Sequence, residues 1–288
     1  MRAFMGRDVG IGDLLLVNAV VEAFKQRHPE AHLTFGCGPE PIPQLLETNP
    51  HIDELLVFPD NGNPVNALRR AEDNICRHAA ENAERYDQIH LLFPHDHFAA
   101  ECLAQGLHLQ DYFARMCGVE LKAPGVRLWT TDEDRRQARA LVEEMGLEGC
   151  VAVSHKTFYT SGPKQWPLEQ FQEVVDRLTA RGHRVAAFGS LKDEPLQHCI
   201  NVQGRPLRVV IEALASCRLM LGLDTGLTHA MDLYDIPVVA LHTSSRPEVT
   251  GTRSKRATFL RGNPDQQDYT IKTSLVVETI EGLLECQP

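Results

Sequence analysis

The chain has 288 residues, enough for two domains of ordinary size, and carries 29 Lys and Arg against 39 Asp and Glu for a formal net charge of −10. That balance argues against a nucleic-acid binder or a stable partner of anionic membrane, since both need a basic face, and the first 130 residues are the more acidic part, with 11 Lys/Arg and 18 Asp/Glu. Eight cysteines without a Cys-x-x-Cys pair, no signal-peptide pattern and no apolar run near the ~18 residues of a spanning helix predict a cytoplasmic protein with reduced thiols and no stable membrane insertion.

In chain order, a short strand at Ala3-Phe4-Met5 leads into Gly10-Ile11-Gly12-Asp13 and a helix from about Leu14 to Arg27 that stops before His28-Pro29. The glycines allow a tight turn and close approach to another molecule, and Asp13 falls in the first helical turn at the sheet's C-terminal edge. The same pattern also serves ordinary helix initiation, and the third glycine of a dinucleotide fingerprint is replaced by Leu15. Strands follow near Leu33–Phe35, Leu55–Phe58 and Ile89–Phe93, with helices near Pro43–Glu47, Val65–Arg85 and Phe98–Met116. His95-Asp96-His97 reads as turn chemistry after a strand end rather than as a metal site, because two histidines without further placed ligands do not make one.

A polar helix near Asp132–Met145 ends at Gly146, and a second series begins with the strand Cys150–Ser154. Next comes Ser161-Gly162-Pro163-Lys164-Gln165-Trp166-Pro167, where the lysine is either a mobile point charge for a diphosphate or an exposed residue beside a structural tryptophan. A helix at Leu168–Ala180, the strand Val185–Phe188 and a helix at Leu207–Ala215 precede the apolar strand Leu219–Leu223. Asp224-Thr225-Gly226-Leu227-Thr228-His229 then opens a helix over Leu227–Tyr234. A strand-to-helix junction in a parallel sheet is a natural anion site, although Asp224 or Thr225 as simple caps and His229 as a core histidine are the plainer alternatives. The strand Val238–Leu241, an irregular stretch at Thr243–Thr258 that is either a mobile loop over a site or a solvated connection, and a helix near Ser274–Leu284 complete the chain. Alternating strands and helices predict parallel α/β sheets in two domains, residues 1–130 and 131–288, with the terminal helix able to pack back on the first.

Gly10-Ile11-Gly12-Asp13-Leu14-Leu15-Leu16, Ala23 to Pro29, Lys164-Gln165-Trp166-Pro167-Leu168-Glu169-Gln170-Phe171, Gly182-His183-Arg184-Val185 and Asp224 to His229 together resemble the signatures of the ADP-heptose:lipopolysaccharide heptosyltransferases, glycosyltransferase family 9, in the right order. The resemblance implies a GT-B architecture, two Rossmann-like domains facing across a cleft that closes during catalysis. The first domain would bind a glycan, glycolipid or other hydroxyl acceptor and the second a nucleotide-sugar, most naturally ADP-heptose. It implies inverting transfer in lipopolysaccharide or other cell-envelope glycan synthesis, without metal or cofactor. Asp13 resembles the general base, with Gly12 beside it on the acceptor side. Lys164 matches the lysine on the donor's phosphate and sugar, and Asp224, Thr225, Gly226, Leu227 and His229 match the donor cradle. Thr157 or Thr160 stands for hydroxyl contacts before the lysine, and Glu194 for an acid on the adenosine ribose.

The chain departs from the family in a shorter first half and in His242-Thr243-Ser244-Ser245-Arg246-Pro247 where Gly-Pro-Thr-x-Pro is usual. Two other readings remain open at this level: a nucleotide-sugar-binding protein without catalysis, and a sugar-nucleotide epimerase on a similar scaffold.

Overall fold

The computed structural model describes residues 1–8, 10–60, 71–95, 97–157, 164–262, 268 and 270–286. The chain divides into two compact units, Met1–Trp129 and Thr130–Pro288. The first holds β1 (Arg2–Arg7), α1 (Ile11–Arg27), β2 (His32–Cys37), β3 (Glu54–Val57), α2 (Glu72–Glu81), β4 (Gln88–Leu91), α3 (Phe98–Gln105) and α4 (Leu109–Met116). Its strands lie in the order β3-β2-β1-β4, every neighbouring pair parallel. Gly10 caps α1 with a φ of 95°, a conformation that side chains resist, and a Cβ there would stand 2.9 Å from an Asp13 carboxylate oxygen. From Leu14 to Val21 the helix is buried on every side, which explains why this stretch reads as a continuous apolar run broken only by Asn18. Asn18 satisfies itself against the carbonyls of Leu45 and Arg127 and the amide of Asn49.

The second unit holds α5 (Asp132–Met145), β5 (Val151–Ser154), α6 (Leu168–Ala180), β6 (Val185–Gly189), β7 (Ile200–Gln203), α7 (Leu207–Leu214), β8 (Leu219–Leu223), α8 (Gly226–Ala230), β9 (Val238–His242), α9 (Pro247–Thr250), β10 (Ala257–Arg261) and α10 (Thr273–Glu285). Its parallel sheet runs β10-β9-β8-β5-β6-β7. Counted within the unit this is 6-5-4-1-2-3, the doubly wound order whose direction reverses between β5 and β8. Alternate residues of the apolar strands feed two cores. Val151, Val153, Leu219, Leu221 and Leu223 pack with α6 and α10, whereas Ala152, Met220, Val238 and Ala240 pack with α5 and α7. A capping box between Thr131 and Asp134 starts α5, and Asp134 also accepts a hydrogen bond from Arg208 of α7 at 2.9 Å. The terminal helix α10 packs on α6, β8 and β9 of its own unit.

Several expectations need correction. The helix expected over Phe98–Met116 is two, because Gly106 turns left-handed at a φ of 62° and the His108 side chain restarts the chain by capping α4. Of the expected Val65–Arg85 helix, α2 and a 3-10 turn at Ala83–Arg85 are seen, residues 61–70 lying outside the described residues. The expected helix near Pro43–Glu47 is a 3-10 turn, Ile42–Leu45. Two edge strands, β7 and β10, went unforeseen: in β7 only Val202 is buried, so the apolar signal of a strand is nearly absent.

Trp166 is buried, donates Nε1–H to the Ile271 carbonyl at 3.0 Å and meets Phe171 edge-on at 4.8 Å. Pro167 stands just before α6 and fixes the approach of that helix. Trp166→Phe should keep the packing but strand the Ile271 carbonyl, at a cost of about 1–3 kcal/mol in urea unfolding. An unchanged midpoint would show that the bond is dispensable.

Candidate functional site

In the first unit, Asp13 sits at the C-terminal edge of the sheet, half-buried, where Arg7 holds it. One Arg7 nitrogen donates to Asp13 Oδ2 and the other to the Leu92 carbonyl at 3.1 Å, and the guanidinium lies 5.7 Å from the centre of the Phe113 ring. Arg7 therefore ties the carboxylate to the ends of both β1 and β4, the point at which strand order reverses in this unit. The sequence reading missed Arg7. A charged residue closing an otherwise apolar strand was the available signal. Gly12 is buried in the first turn of α1 beside Asp13.

His95 accepts the His97 backbone N–H at 3.1 Å and pairs with Glu101 at 2.9 Å, a local turn closure, while Asp96 lies outside the described residues. Among the described residues no three His, Cys, Asp or Glu side chains gather as a metal site.

In the second unit the C-terminal ends of β5, β8 and β9 form one polar edge at the point of reversal. The Asp224 side chain is only 3% exposed and is fully engaged. Its Oδ2 accepts from Lys164 Nζ at 3.1 Å and Thr250 Oγ1 at 3.0 Å, and its Oδ1 from His229 Nε2 at 3.3 Å. Burial on its own would raise the Asp224 carboxyl; the Lys164 ammonium, the His229 bond and the nearby His242 outweigh it and hold the group well below the ordinary range.

The bonds differ from those of a simple cap or of a core histidine bonded to backbone. Thr225 makes no side-chain cap, Asp224 spends its oxygens on side chains, and His229 bonds a carboxylate rather than backbone. The anion argument also changes: α8 is five residues followed by a 3-10 turn at Met231–Leu233, not a helix over Leu227–Tyr234. So short a helix carries little dipole, and Lys164 is the cation that the site supplies.

The segment expected to be a mobile or solvated loop at Thr243–Thr258 is packed instead. Thr243, Val249 and Thr252 are buried, and α9 places Thr250 on Asp224. Thr157 accepts from Gln165 Nε2 at 2.8 Å, beside Lys164, whereas Thr160 lies outside the described residues. Glu194 is exposed in the connection after β6, its carbonyl bonded to His155 Nε2 at 2.9 Å, so its backbone is fastened next to the end of β5. Gly226 and Leu227 begin α8.

His242 closes β9, with Nδ1 2.9 Å from Ser245 Oγ and the ring edge-on to Phe259. Burial lowers its pKa to about 4, the Asp224 charge opposing, so the ring is neutral at physiological pH. Because the unfolded chain takes up this proton first, the stability it represents is present above about pH 6.5 and is lost as pH falls toward about 4. Relative to His242→Asn, the wild type should lose on the order of 3 kcal/mol over that window in urea unfolding. Parallel pH curves for the two proteins would refute the assignment.

Comparison with known proteins adds to this geometry. The family model described as Glycosyltransferase family 9 (heptosyltransferase) matches residues 73–276. Lipooligosaccharide heptosyltransferase 2 of Haemophilus influenzae is 30% identical over 115 residues, covering 35% of this chain and 33% of that protein. The matched stretch thus spans about a third of the length of the curated relatives. A glycosyl transferase family 9 structure from Veillonella parvula superposes with a TM-score of 0.74 at 21% identity, covering 99% of this chain and 97% of the other. The Escherichia coli ADP-heptose lps heptosyltransferase II does so with a TM-score of 0.72 at 18% identity, covering 99% and 98%. At these identities the likeness to solved structures is one of fold.

Proposed function

The chain belongs to glycosyltransferase family 9 (heptosyltransferase), and on that premise we propose that it moves a heptose or related sugar from an ADP-sugar to a hydroxyl acceptor with inversion. Its fold is the family's GT-B arrangement of two parallel-sheet α/β domains. The observation that carries the proposal is the buried Asp224 carboxylate at the strand-order reversal, bridged by Lys164, His229 and Thr250. Nucleotide ligands bind in that position of a doubly wound sheet, and the lysine supplies the positive charge that a diphosphate leaving group requires.

In the proposed reaction Asp13 takes the proton of the acceptor hydroxyl as its oxygen attacks the anomeric carbon. The bond to the diphosphate breaks, and Lys164 neutralises the charge that develops there. Arg7 acts as a positioning residue for Asp13. Gly12, beside the base, lets the acceptor approach the backbone. Thr157, Gly226 and Leu227 line the donor side, and Glu194 holds the ribose.

The donor proposed is ADP-heptose, supported by the solved neighbour named for it, and the acceptor a glycan or glycolipid of lipopolysaccharide or another cell-envelope glycan. Among the described residues no helix is long and apolar enough to cross a membrane, and all eight cysteines are free thiols, which supports a cytoplasmic setting.

Calorimetry with ADP-heptose, followed by transfer assays on a panel of acceptors, tests this reading; binding without transfer to any acceptor would count against catalysis. Lys164→Ala should weaken ADP-heptose binding by about tenfold or more, the effect of losing one charge-assisted contact. Unchanged affinity would remove Lys164 from the site.

A further inference from the structure

Four polar side-chain atoms at the ends of β8 and β9 are buried and lack a hydrogen-bond partner: Thr225 Oγ1, His229 Nδ1, His242 Nε2 and Thr243 Oγ1. Each such atom costs about 1–3 kcal/mol when left unsatisfied, so four in one place mark a site shaped for a polar guest. The strand register explains why they gather. Leu223 of β8 pairs with Leu241 of β9, so Asp224 and Thr225 follow the end of one strand and His242 and Thr243 stand at the matching end of its neighbour. His242 feels the charges of Asp224, His229 and Lys164, which places it in the same electrostatic neighbourhood.

The hydrogen-bonding character of the cluster is mixed. The Asp224 carboxylate can only accept, so His229 Nε2 carries the proton in that bond, and Nδ1 is the remaining polar atom of the ring. Both threonine hydroxyls donate and accept. His242 has Nδ1 engaged by Ser245, leaving Nε2 as its outward group. A phosphoryl oxygen can only accept, whereas each hydroxyl of a polyol both donates and accepts and so can meet either role at these atoms.

We propose that His242 and Thr243, from the end of β9, bind the hydroxyls of the donor's glycosyl unit and, together with Thr225 and His229, set which sugar the site accepts. This rests on the donor-site reading above and assigns two residues that the family's motif does not supply. Lys164 is left to the diphosphate, and the β9 edge reads the sugar.

Calorimetry with two probes, ADP-heptose and ADP, tests it. His242→Phe and Thr243→Val should each weaken ADP-heptose binding about tenfold, with ADP affinity unchanged. His242→Gln, which keeps a side-chain N–H, and Thr243→Ser, which keeps the hydroxyl, should recover most of the loss. Equal weakening of both probes would overturn the assignment to the sugar, as would no weakening of either. If His242→Phe fails to fold, the Thr243 pair and His242→Gln carry the same comparison. Failure of the wild type itself to bind ADP-heptose would instead overturn the donor-site reading.

Discussion

Asp13→Ala is expected to lower turnover by about 10²–10⁴-fold, the usual contribution of a positioned general base, while leaving ADP-heptose affinity intact. The expectation rests on the roles proposed: Asp13 takes the acceptor's proton, whereas the residues proposed to hold the donor, Lys164 and Asp224 to His229, belong to the other unit. Its neighbour Arg7 supplies the competing account, in which the carboxylate serves only to hold the guanidinium against β4. A structural role would appear as a lower unfolding midpoint with turnover per folded enzyme preserved. Asp13→Asn sharpens the distinction, because the amide oxygen can still accept from Arg7 but cannot take a proton from the acceptor. Turnover retained in Asp13→Asn would end the base assignment.

Asp224→Ala is expected to be the most damaging change in the second unit. Three side chains converge on this carboxylate, and removing it takes from Lys164 and His229 the buried acceptor they bond and from Thr250 one of its two acceptors. Breaking a buried pair in this way costs about 3–5 kcal/mol. The two tryptophans fall one to each unit, Trp129 in the first and Trp166 in the second. Fluorescence of Trp166 in a Trp129→Phe background therefore reads the second unit, and an unfolding midpoint equal to that of the background would contradict the network.

The pH response follows from the depressed native pKa of Asp224: its contribution is present above the ordinary carboxylate range and disappears as pH falls below about 4. Wild type should lose its advantage over Asp224→Asn in that acidic window.

Much of the fold was legible from residue patterns. Continuous apolar runs such as Leu219–Leu223 and Val238–Leu241 marked strands buried on both faces, and Gly146 marked the end of α5. In the second sheet the two edge strands escaped: only Val202 of β7 is buried and no residue of β10 is, so both carry little of the alternation that marks a strand. A single glycine, Gly106, was enough to divide one expected helix into two.

By itself the sequence determined the alternation of strands and helices, the two-domain plan and the family, and it singled out the residues at strand ends that are candidates for the chemistry. These features are local, because apolar periodicity, caps and short motifs act within a few residues. Only the tertiary structure decided which of those residues meet. Lys164 reaches Asp224 across the reversal in strand order, Thr250 arrives from a stretch that reads as loop, and His242 comes into the charge field of Asp224 from the end of the neighbouring strand β9. Arg7, close to Asp13 in the chain, is tied to the Leu92 carbonyl through the pairing of β1 with β4. Parallel strand pairing sets such neighbours from segments far apart in the chain, and no local pattern records it.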